Sequence, residues 1–256
     1  MTSFRPGAVD YEVQAAHYAA ARSFTPSAEG AWGEAITRWI APLKPALVLD
    51  LGSGTGRFTP LLAERLGCRV VGVEPSDGMR EGAIREAAHP RVEYVAGDAE
   101  DIPLEDGLCD AAWLGYMIHH VPDRARCGRE LGRVVRGGGL VLVAGAYTEK
   151  RREISLFRYF PAALRIVDAF PLEPEISAEF AAGGLEHVAT ESVMHESAPS
   201  LAVAAKRTAL RADTTLRLIT DREFAEGQRK LEEAAARETE PRPIVDSIDL
   251  LVYRRL

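Results

Sequence analysis

The chain has 256 residues, 46% hydrophobic and 27% charged, with a formal net charge of −7. That length suits one large domain. The acidic balance argues against nucleic-acid or anionic-membrane binding, since both need basic surface. No apolar run reaches the roughly 18 residues of a transmembrane helix, and the start "MTSFRPGAVDYEV" lacks the apolar core of a signal peptide. Cys68, Cys109 and Cys127 are spaced too widely for a zinc pattern or a disulfide framework, so a reduced cytoplasm is expected and no metal site.

Helical spacing over residues 8–24 puts Tyr11, Ala15, Tyr18, Ala19 and Arg22 on one face. A second helix is expected over 27–40, with Trp32, Ile36, Trp39 and Ile40 as its apolar stripe and Pro42 and Pro45 beyond it. The pattern then alternates. Strands are expected at 46–51, 69–74, 91–97, 108–116 and 139–147. Helices separate them at 57–67, closed by Gly67, at 76–88 with Ser76 as N-cap, and at 122–135 with Pro122 near the start. Strands interleaved with helices imply βαβ units and a parallel sheet covered on both faces: an α/β fold. Residues 148–184 form an aromatic-rich helical insert punctuated by Pro161, Pro171 and Pro174. A strand at 187–197, a helix through "SLAVAAKRTALRADTTLRLI", a helix opened by the Thr220–Glu223 capping box and a last strand at 244–255 complete the chain.

The stretch "LVLDLGSGTGRF" leads from a buried strand into Gly52, Gly54 and Gly56. A dinucleotide fingerprint needs G-x-G-x-x-G, but Arg57 stands three residues after Gly54. A Walker loop needs Lys followed by Ser or Thr, which is absent here. The turn admits close approach of a ligand, or simply a tight strand-to-helix turn, without fitting either phosphate pattern. Glu74 ends the second strand, where a carboxylate can accept hydrogen bonds from both hydroxyls of a ribose. Asp98 follows the third strand, where it can accept from an exocyclic adenine amine. All three features sit at carboxyl ends of consecutive parallel strands, the ligand side of an open α/β sheet.

The successive motifs "VLDLGSGTGRF", "VVGVEPSDGM", "YVAGDAEDIPLEDGLCDAAWLGYMIHHVPD" and "ELGRVVRGGGLVLVAG" resemble those of class I S-adenosylmethionine-dependent methyltransferases, closest in character to the UbiE-like small-molecule branch. The resemblance covers roughly residues 8–150. It implies a Rossmann-like, seven-stranded, mostly parallel sheet with helices on both faces and extra cap helices, the strand at 244–255 running antiparallel to its neighbours. It implies a single domain over 1–256: cap helices at 8–41, a cofactor-binding core at 46–147, and acceptor-side helical additions at 148–184 and 199–238. The cofactor is S-adenosyl-L-methionine and the product S-adenosyl-L-homocysteine.

On that resemblance, Gly52, Ser53, Gly54 and Gly56 let the methionyl part lie against the backbone. Asp50 holds its ammonium, directly or through water, or orders the turn. Glu74, followed by Pro75, holds the ribose. Asp98 takes the adenine amine, and Ala99 offers a backbone N–H. Met79 packs on the purine or fills the core. Gly115 and Tyr116 line the methionyl end. Tyr18 and Arg22 match an aromatic and an arginine that close over the cofactor, with Arg22 toward the methionyl carboxylate. His119 and His120 are the candidates for taking a proton from the acceptor, His120 favoured; as adjacent residues they should diverge, so at most one faces the acceptor. Their alternative role is structural. The aromatic insert suits a hydrophobic acceptor pocket. The expected activity is O- or N-methylation of a small molecule, in secondary or quinone-type metabolism. Two alternatives stand beside it: a cofactor-binding protein without transfer activity, and an NAD-dependent oxidoreductase.

Overall fold

Seven strands form one sheet in the order β3-β2-β1-β4-β5-β7-β6 in a computed structural model that describes residues 23–256. The expected helix over 8–24, with Tyr18 and Arg22, lies outside those residues but for its last two positions. The strands are β1 (Leu47–Leu51), β2 (Arg69–Glu74), β3 (Val92–Ala96), β4 (Cys109–Gly115), β5 (Val135–Gly145), β6 (Leu185–Ala198) and β7 (Ile244–Arg255). The first five are mutually parallel, and β7 runs antiparallel between β5 and β6. The strand order reverses between β1 and β4, and the crevice at the carboxyl ends of those strands is where such sheets take ligands.

Helix α1 (Pro26–Ile40) opens on Thr25, whose hydroxyl accepts from the Ala28 amide at 3.1 Å. Trp32, Ile36 and Ile40 are fully buried at helical spacing. Trp39, expected in the same stripe, sits at its edge and donates from Nε1 to Glu191 at 2.7 Å, because a residue three after Ile36 is rotated toward the rim. Helix α2 (Thr59–Leu66) ends at Gly67 in the left-handed region, and α3 (Asp77–Glu86) is capped by the Ser76 hydroxyl at 3.2 Å from the Met79 amide. Helix α4 (Arg124–Val134) begins later than expected: Asp123 is its cap, which leaves Pro122 outside, and β5 follows at once from Val135.

β1 is buried along its whole length, as a central parallel strand must be. One apolar layer joins Leu49, Leu51, Leu114 and Val143 to α4. The layer on the other face joins Trp32, Phe58, Trp113 and Leu142 to α1 and α2. A third cluster lies apart from both. It unites Phe157, Phe160, Ile166 and Phe170 of the insert with Leu216, Ile219 and Leu231 of the later helices.

The insert is broken into single turns (Leu156–Tyr159, Pro161–Ala163, Leu164–Val167) before α5 (Glu173–Phe180). Proline at 161 and 171 prevents a longer helix. The expected continuous helix after residue 199 is two pieces, α6 (Leu201–Thr208) and a turn at Thr214–Arg217 capped by Asp213. Arg211 between them has φ 48°, outside any helix. Helix α7 (Asp221–Ala236) opens on the expected box, with Thr220 and Glu223 each bonding the other's amide.

Candidate functional site

The turn after β1 passes Gly52, Gly54 and Gly56 in the left-handed region, at φ 68°, 57° and 79°. The three glycines serve different ends. A Cβ on Gly56 would strike Tyr94 and Ala87, and one on Gly52 would press on Met117 at 3.0 Å, so these two are fixed by packing. A Cβ on Gly54 would meet nothing within 4 Å among the described residues. There its glycine answers to the left-handed backbone conformation.

Glu74 braces this turn. One carboxylate oxygen accepts from the Gly54 amide at 2.9 Å, the other from the Ser76 amide at 3.0 Å. The side chain is buried and spans from β2 to the β1 turn. Asp50 is 2% exposed and accepts from the Thr59 hydroxyl at 2.7 Å. Burial pushes its carboxyl up to about 7; the Thr59 bond opposes this and the negative Glu74 adds to it.

The cradle is lined by Asp50, Gly52, Ser53, Gly54, Thr55, Arg57, Phe58, Gly115 and Tyr116. Among the described residues the buried Ser53 hydroxyl has no hydrogen-bond partner, so a polar ligand group would satisfy it. Tyr116 has φ 60°, an uncommon conformation for a bulky residue and one that marks functional turns. A Cβ on Gly115 would press on Trp113 and Phe58 at 2.8–2.9 Å, so that glycine also answers to packing.

Not every expected residue gathers in the cradle. Pro75 is exposed beyond the β2 tip. Met79, in the first turn of α3, is 2% exposed. Asp98 is exposed past the β3 tip, with Oδ1 accepting from the Glu100 amide at 2.7 Å, and Ala99 is buried beside it. Glu74 pairs in register with Ala96, so Asp98 still lies on the same rim.

Beside the cradle opens a cavity of about 270 Å³, between the sheet's carboxyl end and the helical additions. Arg57 and Tyr116 line both spaces. The Arg57 guanidinium lies 4.0 Å from the Phe24 ring centroid and 5.5 Å from that of Tyr116. Arg57 and Thr59 were missed as site residues. In the sequence Arg57 stands out only as a mismatch to the dinucleotide fingerprint; its position straight after the glycine turn is the available signal.

Phe157, Tyr159 and Phe170 from the insert line the cavity, while Phe160 packs away against Phe224. His119 and His120 fall on a 3₁₀ turn, Ile118–His120, and both line the cavity, their ring centroids 4.1 Å apart. The expectation that at most one would face it does not hold. The tight turn rotates successive side chains by only about 120°, and the cavity is broad enough to meet both. His119 is buried, with Nδ1 3.3 Å from the Tyr147 hydroxyl; His120 Nε2 lies 3.3 Å from the Thr214 hydroxyl. Among the described residues no His, Cys, Asp or Glu cluster could hold a metal ion, and no helix is long and apolar enough to cross a membrane.

Residues 49–143, from β1 to β5, match a family described as "Methyltransferase domain". The match takes in the glycine turn, Glu74, Asp98 and the paired histidines. This stretch matches as a methyltransferase domain, and its motifs resemble those of the class I, UbiE-like enzymes. The methyltransferase domain is 37% identical over 113 residues to a demethylmenaquinone methyltransferase of Clavibacter sepedonicus, covering 44% of this chain and 46% of that one. It is 32% identical over 120 residues to the chloroplastic 2-phytyl-1,4-beta-naphthoquinone methyltransferase of Arabidopsis thaliana, again 44% and 46%. The aligned stretch thus spans less than half the length of these relatives. A solved geranyl diphosphate C-methyltransferase from Streptomyces coelicolor shares the fold at TM-score 0.56 and 18% identity, over 89% of this chain and 79% of that one.

Proposed function

We propose that the chain transfers a methyl group from S-adenosyl-L-methionine to an oxygen or nitrogen of a small hydrophobic acceptor. The observation that carries this reading is the adjacency of two spaces. A glycine cradle braced by Glu74 shares Arg57 and Tyr116 with an aromatic-lined cavity. The cradle suits the cofactor: among the described residues Gly54 leaves room at the backbone, and the buried Ser53 hydroxyl lacks a partner.

When bound, S-adenosylmethionine supplies a methyl group already carried on a good leaving group. The chain's own task is then mainly alignment, and orientation can account for most of the acceleration. Glu74 accepts hydrogen bonds from the ribose hydroxyls. The Ser53 hydroxyl holds the methionyl end, with Asp50 near its ammonium. Asp98 and Ala99 take the adenine. Arg57 and Tyr116 divide cofactor from acceptor. Phe157, Tyr159 and Phe170 hold an apolar ring system and exclude water. His120, part-exposed in the cavity, takes the proton of a neutral hydroxyl at a ring nitrogen. The relatives named for demethylmenaquinone and phytyl-naphthoquinone support a quinone-type or other secondary-metabolite acceptor. The place of action is the cytoplasm, and neither nucleic acid nor membrane is a partner.

Incubation with methyl-labelled S-adenosylmethionine and metabolite extracts, followed by mass spectrometry, tests the proposal. Label should enter a small molecule. Cofactor binding with no labelled product would leave a binding protein without transfer activity.

A further inference from the structure

Tyr147, two residues beyond β5, is fully buried, and its hydroxyl lies 3.3 Å from His119 Nδ1. The approach depends on Gly145, where a Cβ would sit 2.5 Å from the Tyr147 ring carbon Cζ. The His119 ring is fixed on its faces as well. Phe170 stacks on it at 4.0 Å between centroids and 17° between planes, and the His120 ring packs at 4.1 Å. The imidazole can therefore neither flip nor turn without displacing a neighbour.

The direction of the Tyr147–His119 hydrogen bond follows from what each atom can do. Burial holds the phenol far above its ordinary range, so its proton stays on. That leaves the O–H as a buried donor that needs an acceptor, and among the described residues His119 Nδ1 is the one side-chain partner within hydrogen-bond reach of the phenol. Nδ1 of His119 is that acceptor. A neutral imidazole that accepts at one nitrogen carries its proton on the other.

We infer that Tyr147 locks His119 as the Nε2–H tautomer, so that His119 serves the acceptor cavity as a hydrogen-bond donor and not as a base. Tyr147 is a positioning residue: it lies behind the imidazole and sets what the ring offers. The chemistry an N–H selects is an oxygen with an available lone pair, in a carbonyl, enolate or phenolate. It disfavours an ammonium or another N–H at the same place. The meaning of this selection rests on the methyl-transfer reading; the tautomer does not.

Long-range ¹H–¹⁵N correlation of the ring nitrogens, on the uniformly labelled full chain at neutral pH, reads the tautomer directly. The His119 signals are those lost in His119→Gln. The expected result is an unprotonated Nδ1 and a protonated Nε2 in a single form, shifting toward a tautomer mixture in Tyr147→Phe. A wild-type spectrum showing Nδ1–H or a mixture overturns the inference, as does an unchanged spectrum in a folded Tyr147→Phe. Should that variant not fold, the wild-type spectrum alone decides. No cofactor or acceptor enters this experiment. Failure of the methyl-transfer reading would show separately, in cofactor titration.

Discussion

Asp50 carries a cost that reveals itself with pH. Its carboxyl is pushed up to about 7 by burial, above an unfolded value near 4. A raised carboxyl binds its proton more tightly in the folded state. The stability it contributes is therefore complete below about pH 4 and is lost as pH rises through 7. Between pH 5 and 8 the wild type should lose about 2–3 kcal/mol that Asp50→Asn does not, since asparagine still accepts from Thr59. Urea melts at the two pH values check this. Saturating S-adenosylhomocysteine should flatten the wild-type slope if its ammonium lies near Asp50. Glu74 works in the opposite sense, as a brace that accepts from the Gly54 and Ser76 amides. Glu74→Ala should weaken S-adenosylhomocysteine binding by about 1–3 kcal/mol, the range for hydrogen bonds to a charged group. Glu74→Gln, which keeps one acceptor, should lose less. Equilibrium dialysis of the two variants decides whether Glu74 belongs to the site.

At the scale of elements, the approach of α4 to the turn after α5 depends on two glycines. A Cβ on Gly132 would strike the Gly183 carbonyl, and one on Gly128 would lie 2.9 Å from Phe180 Cα. Backbone cannot give way as a side-chain tip can. Gly132→Ala gains about 1 kcal/mol in helix propensity but overpacks a tight contact, which costs about 1–3 kcal/mol. A net fall in thermal midpoint is expected, at about 2–4 °C per kcal/mol for a chain this size. An unchanged or raised midpoint would show that the two elements separate freely.

Elements up to β5 were legible because each βαβ unit carries its own signals: Ser76 before α3, Gly67 after α2, unbroken apolar runs for buried strands. The insert was legible only as helical. Its single turns are cut by proline and held by the third apolar cluster, whose members Phe160 and Leu231 lie far apart in sequence. The break at Arg211 has no glycine or proline to announce it. In the site, the glycine turn and Glu74 were readable from local motifs. Tyr147 behind His119, and Arg57 between the two spaces, depend on tertiary contacts that no spacing encodes.

Across the whole molecule, the sheet's switch point holds the cradle, and the helical additions wall the cavity beside it. This separation predicts separable effects. Tyr159→Ala removes a partly exposed ring from the cavity wall without touching the cradle. Acceptor KM should rise about tenfold, equivalent to roughly 1.4 kcal/mol of lost apolar contact. Affinity for S-adenosylhomocysteine should be unchanged. A parallel loss of cofactor affinity would mean that the two spaces act as one.

Whether the glycine turn accepts an adenosyl nucleoside or a phosphate-bearing dinucleotide decides the function. Calorimetric titration of the full chain with S-adenosylhomocysteine, and separately with nicotinamide adenine dinucleotide, tests this directly. The account predicts saturable one-site binding of S-adenosylhomocysteine, weakened in Glu74→Ala, and no heat of binding from the dinucleotide. Saturation by the dinucleotide, or a folded chain that binds neither, would contradict it.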